Sequence, residues 1–302
     1  MIITGGLGFI GRNVAKLFND KNYFVIGIGH GKATQEELAK IGIDEWHQAD
    51  ISLDALKKIT KKANVLIHCA GGSTVGISLS DPRLDYHKTV NSTLEVIEFI
   101  RTCCPDTSLI YLSSAAVYGS KADNLIYEDE SSNPVSPYGF HKLASESICK
   151  SYATCFGIKV AIIRLFSIYG EGLMKQLLWE ASNKIVKANN RVVFYGSGEE
   201  TRDWLHITDA AKLIYHLANM DFQYLVLNGA YGERVSVKHI LERLLNEFNR
   251  NDVELIFNNE HKEGDPKYYN ASMDKVLATG WKPEIGLSGG LSDYAKWFKK
   301  YI

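Results

Sequence analysis

A tyrosine and a lysine four residues apart, Tyr138 and Lys142 in the segment 136-SPYGFHK-142, are the pair of side chains best suited to chemistry in this sequence. On a helix, this spacing places both side chains on one face. An ammonium group beside a phenol is expected to lower the phenol pKa from about 10 toward the working pH, which makes the hydroxyl an acid/base catalyst. The same spacing also fits an amphipathic helix with a half-buried tyrosine and a solvated lysine. Whether the pair is catalytic therefore depends on other elements of the chain.

The first such element lies at the start of the chain, where a short apolar strand runs into 4-TGGLGFIG-11 and then into an amphipathic stretch. A strand, a glycine turn and a helix in this order form a cradle for a pyrophosphate. Small residues let the backbone approach the anion, and the helix N-terminus favours negative charge. We therefore expect a dinucleotide to bind at Gly5, Gly8, Phe9, Ile10 and Gly11.

The second element is the apolar run 65-VLIHCAGG-72, which is typical of a buried parallel strand that opens onto a cofactor at its carboxyl end. The small side chains of Cys69, Ala70 and Gly71 would leave room for a ribose or a nicotinamide. His68 lies inside the apolar run, so we expect a satisfied core histidine rather than a ligand or a base.

The third element, 109-LIYLSSAAVYG-119, is another apolar strand that ends in hydroxyl groups. A hydroxyl at this point, from Ser114, could bind the oxygen atom that changes between alcohol and ketone. A donor to that oxygen is what the chemistry requires beside Tyr138.

The residues after the second strand bear on the choice of cofactor. Folds that bind NAD usually place an Asp or Glu there for the ribose 2′-hydroxyl, but this chain has 29-GHGK-32 and no carboxylate before Glu36. With His30 and Lys32 nearby, the site is compatible with a 2′-phosphate, and the sequence favours NADP(H) slightly over NAD. The alternative is that Lys32 is solvated and NAD binds through backbone contacts.

Asp50 and Ile51 follow the next strand-like segment. Asp50 could accept a hydrogen bond from the adenine amino group, or it could cap the following helix, and the sequence leaves both roles open. We place both residues at the adenosine end of the cofactor.

Composition limits the class of protein. With 302 residues, 45% hydrophobic content and a net charge of −1, the chain can bury a large core in one or two domains. The charge balance argues against a nucleic acid polymer or an anionic membrane as partner. The five cysteines have no metal-like spacing, so we expect no metal site and reduced thiols in a cytoplasmic protein. No apolar stretch approaches the ~20 residues of a membrane span, and the N-terminus is interpreted as the first strand rather than a signal peptide.

Strand-like and helix-like segments alternate up to about residue 165, which predicts an α/β fold with a doubly wound parallel sheet of the Rossmann type. We expect a dinucleotide-binding domain over residues 1–165 and a smaller, mixed, mainly substrate-binding region over residues 166–302. The predicted strands are Met1–Thr4, Phe24–Ile28, Asp44–His47, Val65–Cys69, Leu109–Ser113 and Val160–Leu165, and the longer predicted helices are Asp85–Thr102, Tyr138–Phe156 and Leu173–Lys187.

Taken together, these motifs resemble those of the extended short-chain dehydrogenases/reductases, and in particular the NAD(P)-dependent epimerase/dehydratase family, which modifies nucleoside-diphosphate sugars and includes UDP-galactose 4-epimerase. The similarity covers nearly the whole chain. The fold of that family implies that roughly residues 204–228 return to the sheet. The segments that resemble the family are Thr4–Gly11, His68–Gly71, Ser78–Asn91, Ser113–Gly119, Tyr138–Lys142, Arg164–Gly170, Gly196–Asp209 and Gly280–Pro283.

The resemblance implies a catalytic triad of Ser114, Tyr138 and Lys142, in which Tyr138 is the acid/base and Lys142 also bonds the nicotinamide ribose. Arg202 matches the arginine that holds the phosphates of the substrate, a nucleoside-diphosphate sugar. Asn91 is implied at the cofactor. The other residues implied at the substrate are Ser73, which replaces a lysine of the epimerase, Ser167, which replaces a common asparagine, and Tyr269.

Ala115 and Ala116 argue against the elimination of water. Dehydratases of the family carry Asp-Glu at these positions, and two alanines cannot transfer protons. A 4-ketoreductase using NADPH and a 4-epimerase using bound NAD remain. The compact chain, the missing carboxylate and Ser73 favour the reductase slightly, whereas 75-VGIS-78 and 114-SAAVYG-119 favour the epimerase. A non-catalytic dinucleotide sensor is a third alternative, which the retained serine, tyrosine and lysine disfavour.

We also expect a homodimer in which the helices at 85–102 and 138–156 pair with their copies as a four-helix bundle. This expectation rests partly on the resemblance and partly on an apolar stripe formed by Ile148, Tyr152, Cys155 and Phe156.

Overall fold

The protein, represented here by a computed structural model, is described for residues 1–60, 62–72, 74–121, 124–260 and 267–302. The chain divides into two compact units. The first comprises residues 1–119, 130–165 and 211–228, and the second comprises residues 120–129, 166–210 and 229–302. Residues 120–129 and 204–210 therefore group with the second unit, although the sequence places them in the dinucleotide-binding domain.

The strands follow the predicted positions closely. In chain order they are β1 (Ile2–Thr4), β2 (Ile26–Gly29), β3 (Glu45–Gln48), β4 (Val65–His68), β5 (Ser108–Ser114), β6 (Val160–Leu165), β7 (Ser167–Tyr169), β8 (Arg191–Phe194), β9 (Thr201–His206), β10 (Tyr224–Gly229), β11 (Arg234–Ser236) and β12 (Glu254–Phe257).

The helices of the described residues are α1 (Phe9–Asp20), α2 (Gln35–Lys40), α3 (Leu53–Ile59), α4 (Val75–Ser80), α5 (Pro82–Tyr86), α6 (Ser92–Cys103), α7 (Pro137–Phe156), α8 (Gln176–Lys187), α9 (Ile207–Ala218), α10 (Val237–Phe248), α11 (Asp274–Ala278) and α12 (Leu287–Tyr301). A π-helical turn, His87–Asn91, joins α5 to α6, and a 3₁₀ turn, Ala115–Tyr118, follows β5.

The first unit is built on a seven-stranded sheet with the order β10-β6-β5-β4-β1-β2-β3 among the described residues. All neighbours from β3 to β6 are parallel. The central strands β1 and β4 are buried along their whole length, as expected when helices cover both faces of a parallel sheet. The predicted Rossmann-type doubly wound sheet is confirmed.

Two predicted helices differ from the observed ones. The segment predicted as one helix over 85–102 is interrupted by the π-helical turn, whose extra residue rotates α6 relative to α5 while the apolar pattern continues through it. The helix predicted from residue 173 starts only at Gln176. Asp50 does not cap α3, because the Ser52 hydroxyl accepts the hydrogen bond from the amide of Ala55.

Helix α7 is fixed at both ends and along its buried face. The Ser136 hydroxyl caps its N-terminus, and it ends at Gly157, which has a φ of +70°. In its middle, the buried carboxylate of Glu146 accepts a hydrogen bond of 2.5 Å from Ser113 on β5 and pairs at 2.7 Å with Arg164 on β6. These contacts set the position of α7 on the sheet.

The second unit contains a three-stranded sheet, in which β9 pairs parallel with β7 and antiparallel with β11, and a parallel pair of β8 and β12. Helices α8, α10 and α12 meet in an aromatic cluster around Phe298, whose ring lies 5.3 Å from that of Trp179 and 5.5 Å from that of Phe248. Within the described ranges, none of the helices has the length and apolar character needed to cross a membrane.

Candidate active site

The glycine turn between β1 and α1 has the geometry of an anion cradle. Gly5 has a φ of +68°, and a Cβ on Gly11 would lie 2.3 Å from the carbonyl oxygen of Gly5. Gly8 is the N-cap of α1 and there is no acidic side chain in its first turn, which starts with Phe9 and Ile10. The N–H groups at this helix end are therefore accessible to a phosphate without a competing carboxylate, so the residues present fit a dinucleotide pyrophosphate.

The end of β4 is held by a buried polar chain. Nδ1 of His68 lies 2.7 Å from Oγ1 of Thr4, its Nε2 lies 3.3 Å from Oγ of Ser92, and Thr4 also accepts a hydrogen bond from the amide of Ala70. Burial lowers the pKa of His68 to about 3, so its ring is neutral at physiological pH. The prediction of a core histidine is confirmed. Burial also raises the pKa of Cys69 to about 12, so this residue stays a thiol.

At the ends of the neighbouring strands β2 and β3, Nε2 of His30 lies 3.0 Å from Oδ1 of Asp50. Both side chains are mostly exposed, as is Lys32. Ile51 packs against the core of the first unit. A carboxylate therefore does lie beside the end of β2, although it comes from the end of β3.

The structure brings Ser114, Tyr138 and Lys142 together at the carboxyl end of β5. Oγ of Ser114 accepts a hydrogen bond of 3.2 Å from the amide of Ala116, and the Ser114 side chain is near enough to that of Tyr138 to act on its pKa. Nζ of Lys142 lies 5.9 Å from the centre of the Tyr138 ring and donates a hydrogen bond of 2.8 Å to the carbonyl of Leu112. The amide of Tyr138 donates to Oγ of Ser78 at 3.0 Å, which fixes the start of α7 against α4.

The ionisation of the tyrosine differs from the sequence prediction. Burial raises the pKa of Tyr138 above its usual value, the Ser114 side chain offsets part of this increase, and the charge of Asp85 adds to it. The expectation that Lys142 lowers the pKa of Tyr138 is thus wrong for the protein alone. Burial lowers the pKa of Lys142 itself to about 8, so it keeps its positive charge at neutral pH.

Thr89, rather than Asn91, faces the turn after β4. Oγ1 of Thr89 accepts a hydrogen bond of 2.8 Å from the amide of Gly72 and lies 3.6 Å from the place of a Cβ on Gly71. Nδ2 of Asn91 instead lies 2.7 Å from Nδ1 of His87 on the same π-helical turn. The role of Asn91 at the cofactor stays a prediction.

The second unit holds three of the residues predicted at the substrate, Ser167, Arg202 and Tyr269. The guanidinium of Arg202 lies 5.8 Å from the centre of the Tyr269 ring and donates to the carbonyl of Thr201 at 2.8 Å. Ser167 opens β7 and is partly exposed. Ser73 lies outside the described residues.

The two carboxylates closest to Arg202 in the sequence accept hydrogen bonds from backbone amides. Asp203 accepts them from Tyr231 and Gly232, and Glu200 accepts them from Ser197 and Gly198.

Two polar residues near the triad were missed in the sequence analysis. Asp85 is fully buried, and its Oδ2 lies 2.5 Å from Nδ1 of His141. His141 directly precedes Lys142 in the segment 136–142, so the sequence could have indicated that it lies near the triad. Asp85 could not be recognised, because its burial depends on the short helix α5 and the π-helical turn that follows.

Comparison with known proteins agrees with this geometry. The profile of the NAD dependent epimerase/dehydratase family matches residues 1–228. A Methanocaldococcus jannaschii protein named as a provisional UDP-glucose 4-epimerase is 29% identical over 309 residues, which cover 99% of this chain and 98% of that protein. The chain belongs to the NAD-dependent epimerase/dehydratase family of enzymes, as the motifs predicted.

Solved structures show the same fold. The UDP-N-acetylglucosamine 4-epimerase of Methanobrevibacter ruminantium, in complex with UDP-N-acetylmuramic acid, matches with a TM-score of 0.89 at 24% identity and covers 100% of this chain and 98% of that one. The UDP-glucuronic acid 4-epimerase of Bacillus cereus, in complex with UDP-glucuronic acid and NAD, matches with a TM-score of 0.88 at 23% identity and covers 100% and 99%.

The cradle can be tested with Gly11→Ala. Because the new Cβ would lie 2.3 Å from the Gly5 carbonyl oxygen, the turn must shift, which should cost about 1–3 kcal/mol of folding free energy and weaken NAD binding about tenfold or more. Calorimetric titration of NAD and thermal unfolding measure the two effects. The control is Gly76→Ala on α4, where a Cβ meets no atom within 4 Å. Equal NAD affinity in both variants would contradict a cradle at Gly11.

Proposed function

We propose that the protein is an NAD-dependent 4-epimerase of nucleoside-diphosphate sugars. The observation that carries this proposal is the cluster of Ser114, Tyr138 and Lys142 at the carboxyl end of β5, with Ala115 and Ala116 directly after the serine. The cluster can move a proton to and from a sugar hydroxyl, and the alanines leave no side chain for the elimination of water. The relatives named above, both as sequences and as structures, support the same reaction.

Each residue of the cluster has a role that follows from its surroundings. Tyr138 takes the proton of the sugar 4-hydroxyl as the alcohol becomes a ketone, and returns it when the alcohol is restored. Ser114, whose side chain acts on the pKa of Tyr138, donates to the same oxygen. Lys142 holds a positive charge near the Tyr138 ring, and the family resemblance implies that it bonds the nicotinamide ribose. When bound, NAD supplies the acceptor and donor of the hydride of carbon 4.

The slight preference for a 4-ketoreductase in the sequence analysis has no support in the comparisons, which favour the alternative. The two reactions differ in their use of the cofactor. An epimerase restores its cofactor in every turnover, whereas a ketoreductase consumes one NADPH for each 4-keto sugar.

The test is to incubate the protein with UDP-glucose, UDP-N-acetylglucosamine or UDP-glucuronic acid and a trace of NAD. We expect at least one of them to be converted to its 4-epimer, seen by nuclear magnetic resonance, with many turnovers for each NAD and no accumulation of NADH. Turnover of a 4-keto nucleotide sugar in strict proportion to NADPH oxidation, without epimerisation, would contradict the proposal.

Removal of the phenol oxygen by Tyr138→Phe should lower turnover by about 10² or more, the loss expected for a positioned acid/base group. NAD affinity should change little, because the ring and Lys142 remain. The rate of epimer formation and the NAD affinity are measured side by side. A variant that turns over at near the wild-type rate would remove Tyr138 from the chemistry.

For the cofactor we propose NAD, although the sequence favoured NADP(H) slightly. The contact of 3.0 Å between His30 and Asp50 offsets the positive charge that suggested a 2′-phosphate site. The Asp50 carboxylate at this edge would also repel a 2′-phosphate.

This choice predicts the effect of Asp50→Asn. Loss of the carboxylate should raise the affinity for NADP relative to NAD by about threefold to fivefold, the effect of one exposed charge. Asp54→Asn, the same substitution at an exposed position in the first turn of α3, is the control and should leave the ratio unchanged. Binding of both cofactors is measured by titration, and an unchanged ratio in Asp50→Asn would place this carboxylate away from the ribose.

We propose that the second unit binds the substrate, with Arg202 at the diphosphate and with Ser167 and Tyr269 beside it. A guanidinium can donate two parallel hydrogen bonds to phosphate oxygens, whereas an ammonium group acts as a point charge. The Tyr269 ring lies 5.8 Å from the Arg202 guanidinium and stabilises it by a cation–π contact. The planar shape of the guanidinium therefore matters at this position.

Arg202→Lys should therefore raise the Michaelis constant for the nucleotide sugar about tenfold, with NAD affinity and thermal stability nearly unchanged. Arg191→Lys is the control, because Arg191 is exposed on β8 of the same unit. Equal affinities of the wild type and Arg202→Lys for free UDP would place Arg202 outside the substrate site.

We further propose that the protein is a homodimer located in the cytoplasm. Helices of the first unit carry large exposed apolar side chains at Leu84, Tyr86, Leu94, Phe140 and Phe156. Part of the predicted stripe is used within the subunit, however, since Ile148 and Tyr152 pack against its own core. The exposed side chains on α5, α6 and α7 support a pairing of these helices with their copies.

Light scattering at micromolar concentration should give twice the mass of one chain. Phe156→Glu should shift the protein toward the monomer, whereas Phe24→Glu, at an equally exposed phenylalanine outside these helices, should not. A monomeric wild type would contradict the homodimer.

A further inference from the structure

A buried carboxylate lies next to the candidate active site without belonging to the triad. The side chain of Asp85, on α5, is fully buried, and its Oδ2 is 2.5 Å from Nδ1 of His141 on α7. Its other oxygen packs against the turn after β4, because a Cβ on Gly72 would lie 1.7 Å from Oδ1. Asp85 thus connects the helix of the catalytic tyrosine to the turn that lines the cofactor site.

The charge of Asp85 acts on both titrating groups of the triad. It raises the pKa of Tyr138, in addition to the larger effect of burial, and it raises the pKa of Lys142, against the larger effect of burial. A full negative charge beside Tyr138 would oppose the formation of the tyrosinate that a base requires. Two groups can compensate this charge: the imidazole of His141, which contacts Asp85, and the buried ammonium group of Lys142, whose pKa the charge of Asp85 raises.

We propose that Asp85 and His141 form a charge-compensating pair that positions α7 at the cofactor turn and sets the electrostatic field in which Tyr138 exchanges its proton. Both are positioning residues, since they act through Tyr138. The inference rests on the proposed function for the role of Tyr138 as acid/base. It assigns His141 a function that follows from its contact with Asp85 and from its place three residues after the tyrosine.

Among the other groups around the pair, Lys142 on α7 has a pKa of about 8, whereas the groups on β4 keep one charge state near neutral pH. On β4, His68 is neutral and Cys69 is a thiol, because burial lowers the pKa of the former to about 3 and raises that of the latter to about 12. On α7, Glu146 is paired with Arg164.

The helices packed against the pair add no buried charge of their own. Helix α4 has no titratable side chain, and Arg83, Tyr86, His87 and Lys88, on α5 and the π-helical turn, are exposed. Tyr86 contacts the edge of the His141 ring at 5.5 Å. Of these groups, His141 is the one in direct contact with the Asp85 carboxylate.

The test uses two substitutions that each remove one charge and keep a hydrogen-bonding side chain, Asp85→Asn and His141→Gln. In the NAD-loaded protein, tyrosinate absorbance relative to Tyr138→Phe reports the ionisation of Tyr138. We expect Asp85→Asn to shift this titration to lower pH and His141→Gln to shift it to higher pH, each by about one unit, the effect of one nearby charge. The pH profile of kcat/KM should shift in the same directions.

The double variant, Asp85→Asn with His141→Gln, should titrate close to the wild type because it has neither charge. His239→Gln, at an exposed histidine on α10, is the control and should not shift the titration. Shifts of both single variants in the same direction, or no shift with reduced activity, would mean that the pair is merely structural and would overturn the proposal.

Two features keep the test decisive. If Asp85→Asn does not fold, His141→Gln alone decides by the sign of its shift, because this side chain is partly exposed. The absorbance titration needs no sugar substrate. Opposite shifts without any epimerase activity would therefore contradict the proposed function and leave the charge-compensating pair established.

Discussion

The burial of one ammonium group, that of Lys142, is the constraint on which the site depends. A buried cation is costly unless polar partners surround it. Here the carbonyl of Leu112 accepts its hydrogen bond, and the ring of Tyr111 lies 5.1 Å from Nζ. Its pKa falls only to about 8, so the charge persists at neutral pH. Each partner must stay in place for the charge to be tolerated, which makes the position of α7 critical.

The buried charges of the first unit are arranged to hold that position. Glu146 ties the middle of α7 to β5 and β6, and Asp85 meets His141 near its start. A shift of α7 by one residue would rotate every one of these side chains by about 100° away from its partner. The same side chains therefore fix the position of α7 and determine its electrostatic surroundings. A substitution in one ion pair should change the pKa of Tyr138.

The sequence predicted the parallel sheet and the glycine turn, and it singled out Ser114, Tyr138 and Lys142, because each lies in a local pattern of strand, turn or helix. It did not predict the π-helical turn, which places Thr89 against the turn after β4. The direction of the pKa shift of Tyr138 was not predicted either, because desolvation depends on burial by the whole fold and the charge of Asp85 adds to it. Asp85 was missed because its partner, His141, lies 56 residues away in the sequence.

In the proposed reaction, the hydride of carbon 4 leaves the sugar and returns to the same carbon while Tyr138 transfers the proton of the hydroxyl. It is tested most directly with a nucleotide sugar deuterated at carbon 4, converted in ordinary water and analysed by nuclear magnetic resonance. The account predicts that the 4-epimer keeps its deuterium at carbon 4. Replacement of the deuterium by a solvent proton in the inverted product would contradict it.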